Sequence, residues 1–436
     1  MDNHYIRKEL AIGDFKHRRY FTELELNKDN LLFCDLLFYI DSYYNDGGLP
    51  KKYIYNRLLF IFNRILKFFF RSPLGLSDWQ KNSIKNLMTE YLLFRNILVN
   101  GKYDKNVSVV CPANKEDYLK MIMNLYHDLD SLGETIEVAK TEHHLAIKDF
   151  NGNETPFNGS GYSAIRFMRN QIRARLDKQV DFFLIHGSYA TADFVRDWSD
   201  LDTFVILNED IFNNMAELAH TQRELQKLSL LCYKINPLAH HTLFIFPNFI
   251  LKHHLNVFLP TPVLEQSVAL KKENDLTLWH SDSRLEEFND FWNSLSNIRN
   301  RVVANDYPRD LSDWEDYICH ILMLPTFVLQ IKEGPLYKKF SFERIKEVFP
   351  DLDLSLIDWA TEKRKKWKLF NLLRFYPNAF FNLLPASFNN YFINKYRFYL
   401  MRFKKPADSP RMLADSAQEA LNLYEIFFNH CLKNVL

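Results

Sequence analysis

Apolar residues recur every three or four positions along most of this chain, and in one central stretch they run consecutively. LLFCDLLFYIDSYY (31–44) and NRLLFIFNRILKFFF (56–70) carry wide apolar faces interrupted by single charges, which predicts helices. DWQKNSIKNLMTEYLLFRNIL, entered from the loop SPLGLSDW, and ANKEDYLKMIMNLYHDLDSLG predict two more. VSVVCP predicts a strand, and the weak alternation of TIEVAKTEHHLAIKDF predicts a hairpin, with His143 and His144 solvated on an edge rather than holding a metal. NGNETPFNGSGYS is the best linker in the chain. The helix that follows sets Arg166, Arg169 and Arg173 on one face. Then come a strand (FFLIH), a loop with a helical turn (GSYATADFVRDW), a strand (DLDTFVIL), a long helix (NNMAELAHTQRELQKLSLLCYK) and a strand (HHTLFIF). From about residue 280 the pattern is helical to the end. The predicted fold class is α+β: a small mixed sheet over 156–270, a helical region over 1–105, a small α/β segment and linker over 106–155, and a helical domain over 271–436.

Composition supports helices. The 436 residues include 38 Phe and only 11 Gly, which suits bulky helical cores better than a turn-rich all-β design. Net charge is +1, so no overall field gathers nucleic acid, and any acceptor substrate is expected to be a small molecule, a glycan or a protein. Cys34, Cys111, Cys232, Cys319 and Cys431 are widely spaced and odd in number, which predicts reduced thiols. MDNHYIRKEL is charged where a signal peptide is apolar, and no apolar run is both long and uncharged, so a cytoplasmic protein without a transmembrane segment is expected. Residues 375–405 are crowded with aromatics and end basic. They suit a core, or a peripheral membrane contact or a grip on a lipid-linked or glycan acceptor.

Chemistry concentrates between His186 and Leu207. On a strand, Asp200 and Asp202 point to one side, and two such carboxylates call for a hard cation, Mg²⁺ or Mn²⁺. Gly187 lets a phosphate approach the backbone, and Ser188 offers it a hydroxyl. Phosphate on one side and a divalent cation on the other equip a site for phosphoryl or nucleotidyl transfer.

The stretch resembles the signature of the polymerase-beta-like nucleotidyltransferase superfamily, in its bacterial small-molecule branch: an apolar strand, Gly187-Ser188, eleven residues, then Asp200-Leu201-Asp202, with Ser199 before the first Asp. The resemblance covers about residues 160–260. It implies metal ligation by Asp200 and Asp202, and an NTP gripped by Gly187, Ser188 and Ser199. It also implies a third carboxylate on a later strand. HHTLFIF has none, so His241, or His240 after a one-residue shift, is the candidate for that place. Nucleotidyltransferases often take a Lys and a Ser for the triphosphate from a following helical domain, and Lys338, Lys339 and Ser341 open a predicted helix there. Two functions follow. One is transfer of an NMP from an NTP, ATP among them, to an acceptor hydroxyl with release of pyrophosphate. The other is a catalytically degenerate relative that binds nucleotide or acts as a scaffold.

Overall fold

A computed structural model of the chain describes residues 51–71, 78–101, 109, 112–136, 141–152, 160–239, 242–254, 259–280, 284–403 and 410–435. The predicted helix at 31–44, most of the strand at 107–112, most of the linker, and both His240 and His241 lie outside them. The fold is mixed α+β and mostly helical. It divides into two compact units: Met1–Lys140 joined to Glu209–Gln222, and Thr141–Asn208 joined to Arg223–Val435.

In the first unit α1 (Lys51–Arg71), α2 (Asp78–Asn100) and α3 (Lys115–Glu134) match the apolar periodicity. Asn114 caps α3 by accepting from the Asp117 amide at 2.9 Å, one of the four amides a helix start leaves unpaired. Tyr126 of α3 stacks on Phe212, ring centres 4.0 Å apart.

The second unit holds β1 (Thr141–Leu145), β2 (Lys148–Asp149), α4 (Ser163–Arg175), β3 (Val180–His186), the single turn α5 (Gly187–Ala190) and β4 (Asp202–Leu207). The helix α6 (Met215–Ile235) begins in the first unit and ends in the second. Then follow β5 (Ile245–Pro247), α7 (Thr261–Glu265), β6 (Val268–Lys271) and β7 (Leu276–His280). The main sheet runs β2-β6-β3-β4-β5, with β3 antiparallel to both β4 and β6, and the outer pairs parallel. β3 and β4 are buried almost throughout, as their unbroken apolar runs require.

The sheet departs from the predicted one in three ways. β1 and β2 do not form a hairpin: β1 pairs with β7, and β2 with β6. β6 and β7 were not anticipated: β7 forms a separate two-stranded sheet with β1, while β2 and β6 carry the main sheet past the expected 156–270 span, from Lys148 to Lys271. HHTLFIF yields a strand only at Ile245–Pro247. Phe244 just before it still bonds β4 through its carbonyl, 2.8 Å from the Val205 amide, and through its amide, 3.2 Å from Thr203 Oγ1.

The rest is helical: α8 (Arg284–Ala304), α9 (Leu311–Glu333), α10 (Lys338–Val348), α11 (Ser355–Lys365), α12 (Phe380–Leu383), α13 (Ala386–Phe403) and α14 (Pro410–Val435). α9 is central, packing on α8, α10, α11 and α14 through Ile318, Ile321, Leu324 and Leu329, all without exposed surface. Among the described residues no helix is long and apolar enough to cross a membrane.

Candidate functional site

The antiparallel register of β3 and β4 sets His186 opposite Asp202, so the end of one strand and the start of the next meet at one edge of the sheet. The chain leaves β3 through Gly187 at φ +68°, a left-handed conformation that favours glycine. A Cβ at Gly187 would overlap the Asp202 carboxylate, so glycine is needed there for closeness as well as for conformation. β4 begins at Asp202 rather than Asp200. Even so, Asp200 and Asp202 line the same cleft while Leu201 between them has no exposed surface, the alternation the sequence predicts.

The loop from Gly187 to Asp200 is tightly held. Thr191 N–H donates to the Gly187 carbonyl at 3.2 Å and Asp193 N–H to the Ser188 carbonyl at 3.0 Å. Ser199 Oγ accepts from the Val195 amide at 2.9 Å, so this hydroxyl braces the loop as well as lining the cleft. Asp197 adopts φ +72°, uncommon for a residue with a side chain. Its carboxylate accepts from the Leu369 amide at 3.3 Å and pairs with Arg374.

The cleft, about 770 Å³, is walled by α9, α10 and α11. His186, Gly187, Ser188, Ser199, Asp200 and Asp202 line it from the sheet side, and Lys338 and Lys339 from the start of α10. Burial lowers the pKa of the Lys338 ammonium, with Asp202 and Asp200 opposing that shift. Lys339 pairs with Asp193 at 3.0 Å on a more exposed rim. Ser341 does not line the cleft. Fully buried, it donates to the Lys338 carbonyl at 2.7 Å and meets Thr326 Oγ1 at 3.0 Å, fixing α10 to α9.

A second cavity, about 330 Å³, adjoins the first, and Trp198, Asp200 and Cys319 line both. Glu315 of α9 lies in it, only 8% exposed, accepting from Asn236 Nδ2 at 3.1 Å. Burial pushes its carboxyl up to about 8, and the Asp200 charge adds to the rise. Burial likewise pushes the Cys319 thiol up to about 12, which makes it an inert neutral wall.

Sequence reasoning missed Glu315. The available signal was a lone acid on an apolar helical stripe, with Ile318, Cys319 and Leu322 at the following positions of that face. The expected residues from Gly187 to Asp202, with Lys338 and Lys339, share one cleft, and β5 carries no carboxylate. Of the other residues singled out, His144 Nδ1 lies 3.0 Å from Thr277 Oγ1, His143 packs on His280, and the Arg169 guanidinium lies over the Phe150 ring.

Two carboxylates on one cleft wall fit a divalent cation that takes its remaining ligands from phosphate and water. Among the described residues no group of three or more His, Cys, Asp or Glu could hold a metal without such help. Comparison with protein-family models, with curated proteins and with solved structures gives no match.

Proposed function

We propose that the chain is a metal-dependent nucleotidyltransferase that moves an NMP from an NTP to an acceptor hydroxyl and releases pyrophosphate. The observation that carries this reading is a single cleft lined by a left-handed Gly-Ser turn, two carboxylates one residue apart, and a desolvated lysine from a distant helix. Gly187 admits a phosphate to the backbone, and Ser188 donates to it. The Lys338 ammonium balances the triphosphate charge from the opposite wall, where a desolvated cation acts at low dielectric. Lys339, already paired with Asp193, tightens the rim instead. Asp200 and Asp202 would hold Mg²⁺ or Mn²⁺, which supplies charge neutralisation and alignment of the phosphates. Glu315, in the adjoining cavity that shares Asp200 with the cleft, is the described group disposed to take the acceptor's proton, in the ionised form that becomes populated as pH approaches 8. The acceptor is a small molecule, a glycan or a protein, in keeping with the balanced net charge.

The alternative, a degenerate nucleotide-binding scaffold, draws on the absence of a carboxylate from β5. Thermal melting of the purified chain with Mg²⁺ and each of the four NTPs tests nucleotide binding. Stabilisation is expected with metal and NTP together, much less with metal alone, and is lost in the double variant Asp200→Asn/Asp202→Asn. Equal stabilisation of that variant sinks both readings. Pyrophosphate release then separates enzyme from scaffold.

A further inference from the structure

Thirteen large apolar side chains among the described residues are exposed, and nine of them fall between Phe370 and Tyr399. The segment 375–405 is therefore core only in part: Phe381, Ile393 and Leu400 are buried, whereas Phe375 is 74%, Leu383 75% and Tyr391 63% exposed. Along α13 the exposed residues Phe388, Tyr391, Lys395, Phe398 and Arg402 step by three and four, one stripe of a helix whose other side buries Asn389, Ile393 and Leu400. The approach to α13 belongs to the same body, because the Tyr376 ring packs on Phe380 and stacks on Phe392 of α13. Exposed apolar side chains in such number within thirty residues are unusual for a protein that meets only water.

Charge gives the face its partner. From Lys363 to Ala407 the sequence holds eleven Lys or Arg and no Asp or Glu, in a chain whose overall net charge is only +1. Several of these cations lie elsewhere or have local partners: Arg364 and Lys365 line the candidate cleft, Lys363 lies over the Trp359 ring, Lys365 and Lys366 pair with Glu362, Arg374 with Asp197, and Arg397 lies over the Tyr233 ring. Others stand on the aromatic stripe itself, Lys395 over Tyr391 at 5.7 Å and Arg402 over Phe398 at 5.6 Å. Aromatic rings alternating with cations on one helical face match the boundary between lipid headgroups and acyl chains, where rings sink to the carbonyl level and cations meet phosphates.

We infer that the surface of α13 and the aromatic segment before it docks on the headgroup layer of an anionic lipid bilayer. The helix lies along the interface and does not span it, since no described helix is long and apolar enough to cross. Anionic headgroups attract the one-signed charge, and Phe375, Leu383, Tyr391 and Phe398 insert.

Vesicle co-sedimentation of the purified full chain tests this without any assay of nucleotide chemistry. The chain is expected to sediment with vesicles of phosphatidylcholine and phosphatidylglycerol, to stay in solution with phosphatidylcholine alone, and to be released by added salt. Two variants probe separate contributions: Phe375→Ser/Leu383→Ser/Tyr391→Ser removes apolar insertion, and Lys395→Glu/Arg402→Glu reverses charge. Each should melt like the parent and lose about tenfold or more of its partitioning. Failure of the full chain to sediment with anionic vesicles at low salt overturns the inference, as does unchanged partitioning of both variants. Ultracentrifugation without lipid closes the remaining route. A dimer that the triple Ser variant dissolves would assign the face to a second copy of the chain and overturn the membrane reading.

Discussion

Glu315 ties the site to the stability of the protein. Its folded-state pKa of about 8 lies above the ordinary 4.5, so folding favours the protonated acid. Stability from this group is complete below pH 4.5 and is lost as pH rises through about 8. Glu315→Gln keeps the shape, and its amide oxygen still accepts from Asn236, but it removes the titration. The melting temperature of the variant relative to the parent should therefore climb between pH 4.5 and 8 and level off above. A difference independent of pH would show that Glu315 is not desolvated as the geometry requires. Asn236 gives this position reach, since its Nδ2 also donates to the Trp198 carbonyl at 2.9 Å, joining the loop before Asp200 to α9.

At the scale of elements, the sequence revealed whatever is encoded locally. The α2 and α3 helices, β3 and β4 could be read because consecutive or helix-spaced apolar residues need no distant partner to declare themselves. The Gly187–Asp202 half of the cleft was legible for the same reason: a turn and two strand ends lie within sixteen residues of one another. TIEVAKTEHHLAIKDF misled because its two strands find partners more than a hundred residues later, in β6 and β7. Local alternation cannot specify which edge a strand will join. Glu315 stayed hidden because a single acid in an amphipathic pattern looks like a solvated face until packing buries it. Ser341, read as a phosphate ligand, instead couples two helices, and this too is testable. Ser341→Ala leaves Thr326 with a lost partner in the interior and should cost about 1–2 kcal/mol by urea denaturation. Adding Thr326→Val should recover part of that loss, because a missing pair is cheaper than a buried orphan. Strictly additive losses would show that the two hydroxyls are not coupled.

For the whole molecule, the important fact is that the first unit is not one continuous piece of chain. Glu209–Gln222 belongs to it, and within that insert Ile211, Phe212 and Leu218 are buried, Phe212 against Tyr126. A chain lacking residues 1–140 would uncover these side chains. It should aggregate or bind hydrophobic dye, as read by light scattering and dye fluorescence, while the full chain does neither. A truncated chain that stays monomeric and melts cooperatively would show that the insert needs no cover. For this reason the nucleotide assays above call for the complete chain.

The same insert sets an order of events during synthesis. When Lys140 has left the ribosome the first unit is still without a buried segment, and roughly 70 further residues must be translated before Glu209–Gln222 can emerge, several seconds at ordinary elongation rates. Those residues are the ones that carry β1 to β4 and the Gly187–Asp202 turn. The half-built first unit must therefore wait with an open apolar surface while the strands of the second unit are being made, themselves awaiting β6. Chaperone demand on this protein should peak in that interval, and rare codons placed within it would lengthen the exposure and lower the yield of folded chain.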